Sequence, residues 1–165
     1  MRGLPVPDAM DTPLHLAPLL APSLNQVLHI EQRAYDHPWK REHFLDALSC
    51  GYQAQMLVAH DTPVGYFVAM QGVGEAHLLN ITVAPEHQGR GYARYLLEVL
   101  HQWARSVQAQ RVWLEVRVSN ARAIRLYEAQ GYQRVNVRKA YYPGWGDARE
   151  DALVMLYSLQ ESEMP

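Results

Sequence analysis

The sequence predicts an α/β protein of the α+β kind, with a mixed, mostly antiparallel central sheet of about six or seven strands flanked by about four helices. Three features carry that expectation. Apolar residues recur at helical or alternating spacing in the order helices, three strands, helix, strand, helix, two strands. Runs 55–60 and 64–71 lie only a few residues apart, a separation that an antiparallel hairpin can use and a parallel pair cannot. One long helical pattern, 91–108, stands between two strand patterns and is long enough for the crossover of a parallel pair.

The elements follow in chain order. Residues up to about 11 are rich in proline, lack periodicity and read as a loose N-terminal arm; 12–160 read as one domain. Stretch 14–20 is apolar enough to suggest a leader peptide. Pro13, Pro18 and Pro22 interrupt it, Asp8 and Asp11 precede it, and only Arg2 supplies positive charge, so an unexported chain is expected. No run approaches the ~18 apolar residues of a membrane span. Ser23 can cap a helix running to about Tyr35, which Pro38 breaks, and a second helix over 41–49 is ended by Gly51. Asp61, Thr62 and Pro63 join the hairpin. Gly72 and Gly74 turn the chain into strand 76–83, which Pro85 terminates. Helix 91–108 carries Ala93, Leu96, Leu97, Leu100, Ala104 and Val107 on one face. Strand 111–118 alternates, with Val112, Leu114, Val116 and Val118 on one side and Trp113, Glu115 and Arg117 on the other. Helix 120–130 closes on Gly131 followed by Tyr132, a glycine C-cap pattern, and strands 132–139 and 152–159 complete the order.

Composition bounds the function. A hydrophobic fraction of 48% with 19% charged residues is that of a globular chain with a core. A formal net charge of -2 predicts no general affinity for nucleic acid or for an anionic membrane. Cys50 is the single cysteine, which excludes an internal disulfide, fits a reducing cytoplasm and, without a motif partner, reads as an incidental or buried thiol. The eight histidines form no HExxH-type pair, so no metal is expected. His87 reads as a solvated loop histidine, with contact to a phosphate as the other possibility.

The most informative segment runs from Asn80 through Ile81, Thr82 and Val83 to Pro85, then through Gln88-Gly89-Arg90-Gly91-Tyr92-Ala93 into the long helix. A helix N-terminus has unpaired N–H groups and a partial positive charge, both favourable to phosphate. Gly89 and Gly91 let backbone approach an anion, and Arg90 and Arg94 add charge-assisted contacts. The segment is neither GxGxxG nor GxxxxGK[ST]. On physical grounds alone, a tight turn without a ligand explains it equally well.

Resemblance supplies the rest. Gln88–Ala93 resembles the (Q/R)xxGx(G/A) pyrophosphate loop of the GNAT acetyltransferase superfamily, at that family's position between a central strand and a long helix. HIEQRAYDHPW at 29–39, VWLEVRVSN at 112–120, AIRLYEAQGY at 123–132 and YYPGWGDAREDALVM at 141–155 are similar to its RimI branch, ribosomal-protein N-terminal-alanine acetyltransferases. The resemblance covers about 20–158. It implies acetyl-CoA as co-substrate and a protein N-terminus as acceptor. It implies that the backbone of Ile81, Thr82 and Val83 lines the pantetheine arm, that Gln88, Gly89, Arg90, Gly91, Tyr92, Ala93 and Arg94 hold the pyrophosphate, and that Asn120 reaches the reactive end. It implies Glu115 as proton acceptor and Tyr127 as proton donor.

The residues taken alone leave other readings open. Glu115 also fits a solvent-facing strand charge, Tyr127 a core tyrosine and Asn120 a helix N-cap. Trp113, Tyr141, Tyr142 and Trp145 fit packing, the last three in a loop of mobile composition. Ala93 replaces a glycine common in the family, and Gly144-Trp145-Gly146 is an unusual loop tip that leaves acceptor preference open. Two rival functions remain at this level: a GNAT enzyme acting on small amines or lysine side chains, and a catalytically silent CoA-binding interaction module.

Overall fold

The computed structural model describes residues 13–159; the expected N-terminal arm and both ends of the expected domain, 12 and 160, lie outside the described residues. The elements are β1 (Leu14–Pro18), α1 (Leu24–Ala34), α2 (Arg41–Ser49), β2 (Gln53–Ala59), β3 (Thr62–Gly72), β4 (Glu75–Val83), α3 (Tyr92–Ser106), β5 (Arg111–Arg117), α4 (Ala121–Ala129), β6 (Gln133–Pro143) and β7 (Arg149–Ser158). Among the described residues, seven strands form one sheet in the order β1-β2-β3-β4-β5-β7-β6. β4 and β5 are parallel across the α3 crossover. Pairs β1–β2, β2–β3, β5–β7 and β6–β7 are antiparallel. The predicted α/β class with a mostly antiparallel sheet and four helices is the one observed.

Local corrections have local causes. β1 was not foreseen: 14–18 pairs with β2, Leu16 opposite Leu57, as an edge strand framed by prolines, a place where a missing N–H is tolerated. The hairpin turn is His60-Asp61, at φ 50 and 65, with Thr62 and Pro63 already in β3. Two consecutive positive φ angles match the twist of the flanking strands. Ser23 occupies the N-cap of α1 but its side chain makes no capping bond, because a 3-10 turn over Ala21–Ser23 precedes the helix. Val118 falls outside β5 and is 46% exposed, while Val112, Leu114 and Val116 are buried as expected.

The described chain divides into two compact units, 13–70 with 79–102 and 71–78 with 103–159. In the first, α1 and α2 bury Leu24, Val27, Ile30 and Phe44 with Tyr66 and Val68 of β3. Gly65 in β3 permits a close approach: a Cβ there would lie 2.9 Å from the Thr82 carbonyl oxygen and 3.2 Å from Leu96 Cδ1. Gly65→Ala must push the backbone of β4 or the start of α3 aside, and overpacking of this kind costs about 1–3 kcal/mol. Equilibrium denaturation is expected to show that loss, and wild-type stability would contradict the close approach.

In the second unit, α4 is closed at both ends. Asn120 Oδ1 accepts from the Ala123 N–H at 3.2 Å. At the other end Gly131, at φ 103, and Tyr132 donate to Glu128 O and Tyr127 O, each at 3.0 Å, satisfying the last carbonyls in a Schellman motif. The predicted glycine cap is therefore real, and it brings Tyr132 back under the helix, its ring 5.7 Å from that of Tyr127.

Candidate active site

The end of β4 sits on a buried polar cluster. Glu31 of α1 is only 2% exposed. It accepts from the Trp39 N–H at 2.9 Å, the Tyr66 hydroxyl at 2.7 Å and Asn80 Nδ2 at 3.1 Å. Thr82 Oγ1 donates to Asn80 Oδ1 at 2.7 Å and lies 2.8 Å from the Tyr35 hydroxyl, which donates to the Ile81 carbonyl at 2.9 Å. Tyr35 as a whole is 37% exposed, but burial around its hydroxyl pushes the phenol up to about 12, and burial with the Glu31 charge raises Tyr66 further, so both stay protonated donors. A carboxylate taken out of water needs such donors. The chain thereby fixes the backbone of Ile81 and Thr82 from within its own core.

Beyond Val83 the chain forms a 3-10 turn, Pro85–His87, and then the glycine turn. Gln88 Nε2 donates to the Val83 carbonyl at 3.1 Å, so this side chain ties the turn to the end of β4. Gly89 and Gly91 have φ 82 and 85, the left-handed region that L side chains rarely adopt, and a Cβ on Gly89 would meet nothing within 4 Å. Backbone conformation, not crowding, demands glycine at 89. The first amides of α3 follow with no acceptor inside the helix. Arg90 is exposed, and Arg94, 66% exposed, pairs with Glu98 at 3.4 Å. The Tyr92 side chain is buried, so only its backbone faces the turn; Ala93 is half-buried. His87 is not the solvated loop residue expected. It is half-buried, its Nδ1 is covered, and its ring lies 6.3 Å from that of Tyr92, because the 3-10 turn folds it inward.

Arg33 of α1 reaches Glu86 in this 3-10 turn at 2.6 Å. Hydrogen bonding from Arg33, then from the turn's own backbone, holds the Glu86 carboxyl down to about 2. A depressed carboxyl contributes stability above its unfolded value, ~4.3, and that contribution fades as pH falls toward the folded value. Arg33→Met should therefore melt below wild type at about pH 6, and the gap should close by about pH 2. A gap that is constant with pH would show that Arg33 acts by packing alone.

In the second unit, Glu115 lies on β5 with its side chain only 7% exposed. It is not the solvent-facing charge that alternation allowed. Register sets Trp113 beside His77 of β4, and the two rings stack at 3.6 Å with 12° between planes. His77 Nε2 is 2.8 Å from Glu115 Oε1, and Arg138 Nε of β6 is 3.3 Å from Oε2. Asn120 is the N-cap of α4, the next element after β5, and Tyr127 lies in the last turn of that helix. Tyr127 is 7% exposed and packs with Tyr132, so the core position suggested by its helical spacing is observed.

Tyr141 and Tyr142 belong to β6, not to a mobile loop: they meet edge-on at 4.9 Å, with Arg138 over the first ring and Arg117 over the second. Only 144–148 form the tip, where Trp145 is 73% exposed. Cys50 is exposed at the end of α2. His77, Arg138, Glu31, Tyr35 and Tyr66 were missed by the sequence reading. Their partnerships come from strand register and helix placement, which alternation within one segment does not contain.

The sheet is mixed, with a parallel β4–β5 pair, and a positive-φ glycine turn opens the crossover helix. The family model for the acetyltransferase (GNAT) family matches residues 24–132, and the chain belongs to that family. It is an acetyl-CoA-dependent N-acetyltransferase. Over 127 residues it is 39% identical to [ribosomal protein bS18]-alanine N-acetyltransferase of Escherichia coli (strain K12), covering 77% of this chain and 85% of that protein. The crystal structure of the ribosomal-protein-S18-alanine N-acetyltransferase from Escherichia coli superposes with a TM-score of 0.82 at 34% identity, covering 91% of this chain and 96% of that one. YncA of Salmonella typhimurium, solved with its cofactor acetyl-CoA, shares the fold alone: TM-score 0.76, 19% identity, 93% and 98% covered.

Proposed function

We propose that this enzyme acetylates the α-amine of a protein N-terminus, and that its acceptor is the N-terminal alanine of ribosomal protein bS18. One observation carries the choice of acceptor: the 39% identity to the Escherichia coli enzyme named for that acceptor, running over 85% of its length. We assign the cofactor's pyrophosphate to the turn of Gln88, Gly89, Arg90, Gly91, Tyr92, Ala93 and Arg94. Two positive-φ glycines, free helix amides and an exposed arginine fit an anion there. The backbone of Ile81, Thr82 and Val83 is assigned to the pantetheine arm, and Asn120, while capping α4, to the reactive end. The bound cofactor supplies an acetyl thioester.

Glu115 takes a proton from the attacking amine, and Tyr127 gives one to the departing thiolate. A peptide α-amine, with an ordinary pKa near ~7.7–8.0, is already about a quarter or more neutral at pH ~7.5, whereas a lysine near ~10.4 is only ~0.1% neutral. One carboxylate, acting directly or through water, therefore suffices for an N-terminal acceptor. Such a substrate is consistent with a cytoplasmic enzyme.

Initial rates of thiol release test the reading. An alanine-first peptide with an internal lysine should turn over, and the same peptide with its N-terminus blocked should not. Equal rates on both would transfer the activity to lysine and contradict the proposal.

A further inference from the structure

The two oxygens of Glu115 are each held by a different neighbour. On Oε1 is His77 Nε2 at 2.8 Å, and on Oε2 is Arg138 Nε at 3.3 Å. A proton acceptor must start as the ionised carboxylate, which only accepts, and in that state the contact needs His77 to donate from Nε2. The imidazole is itself fixed: it stacks flat on Trp113 at 3.6 Å, and its side chain is 12% exposed. Arg138 in turn lies over the rings of Trp113 at 5.8 Å and Tyr141 at 5.4 Å. Glu75 and Arg111, paired at 3.1 Å, stand two residues earlier on the same two strands. Tyr141 and Tyr142 also feel the Glu115 charge, and Arg117 and Glu150 act on Tyr142.

We propose that His77 is a positioning residue for Glu115: by holding Oε1 it keeps the carboxylate from swinging both oxygens onto the Arg138 guanidinium, and so presents its remaining lone pairs in one orientation. The proposal rests on the reading of Glu115 as proton acceptor. An arginine fork readily takes both oxygens of a carboxylate, and a base so engaged has fewer lone pairs for the amine and a larger charge opposing protonation. A donor on one oxygen prevents that. The arrangement resembles in logic a catalytic base whose orientation is set by a third group. Positioning of this kind matters because small misplacement of a reacting group costs rate steeply.

Three variants in the full chain test it, with acetyl-CoA and an alanine-first peptide. His77→Leu removes the donor and should lower kcat about 10-fold, leaving the KM for acetyl-CoA within about 2-fold. His77→Gln returns an N–H donor near the Nε2 position and should recover kcat to within about 3-fold of wild type. On a Glu115→Gln background, His77→Leu should lower kcat by no more than about 2-fold further, since its effect passes through the carboxylate. Wild-type kcat in His77→Leu overturns the proposal. So does a glutamine variant as slow as the leucine one, or a full 10-fold loss on the Glu115→Gln background. If Glu115→Gln alone keeps wild-type kcat, the base assignment itself has failed. If Glu115→Gln is slow while His77→Leu is not, only the positioning role has failed.

Discussion

Gly91→Asp is expected to weaken acetyl-CoA binding by on the order of 100-fold or more while leaving the fold in place. Gly91 has φ 85 at the last position before α3, and a carboxylate there would stand against the anion that the turn is proposed to hold. Like charges brought together at a binding site cost several kcal/mol, and about 2.8 kcal/mol already corresponds to 100-fold. The strained backbone adds a smaller penalty, about 1 kcal/mol, since aspartate tolerates left-handed conformation better than most residues. Gly91→Ala separates the two effects: it carries the strain without the charge and should bind no more than about 10-fold more weakly. Titration calorimetry with both variants, alongside thermal melts, measures these quantities. Wild-type affinity in Gly91→Asp would remove the pyrophosphate from this turn.

Glu115→Gln is expected to reduce kcat by about 100-fold at pH ~7.5, near the low end of what a general base contributes, with the KM for acetyl-CoA changed by no more than about 2-fold. The low end is expected because a sizeable share of an α-amine is already neutral at that pH. For the same reason the deficit should shrink as pH rises past ~8, where solvent has removed the amine proton and no enzyme base is needed. Glutamine keeps the shape of the side chain and can still accept from His77, so the loss isolates proton acceptance rather than packing. A deficit that persists unchanged to pH ~9.5 would assign Glu115 a structural role, and an unchanged kcat at pH ~7.5 would assign it none.

How much of this was legible from the residues depends on the range of the interaction. The α3 stripe was readable because one segment contains it: Leu96, Leu97, Leu100 and Ala104 are buried as their spacing requires. The Gly131 cap and the N-cap at Asn120 were readable for the same reason, since each bonds within a few residues. The glycines of the turn announced a backbone that only they adopt easily, and φ 82 and 85 at Gly89 and Gly91 agree. β1 was hidden because a short apolar run between prolines resembles a leader as much as an edge strand. The protection of Glu115 was hidden more deeply. Alternation put it on the face away from Leu114, but its partners are 38 and 23 positions away, and only the register of β4, β5, β7 and β6 brings them in. Glu31 is a similar case: a helix glutamate looks solvated until Tyr66 and Asn80 arrive from two strands.

Transfer of the acetyl group to an N-terminal α-amine is tested by site-resolved mass spectrometry. The enzyme and acetyl-CoA would be incubated with unmodified small-subunit ribosomal proteins, bS18 among them, and every acetylated position mapped. Acetyl is expected on the N-terminal alanine of bS18, with lysines at background. Acetylated lysines with a free N-terminal alanine would contradict it.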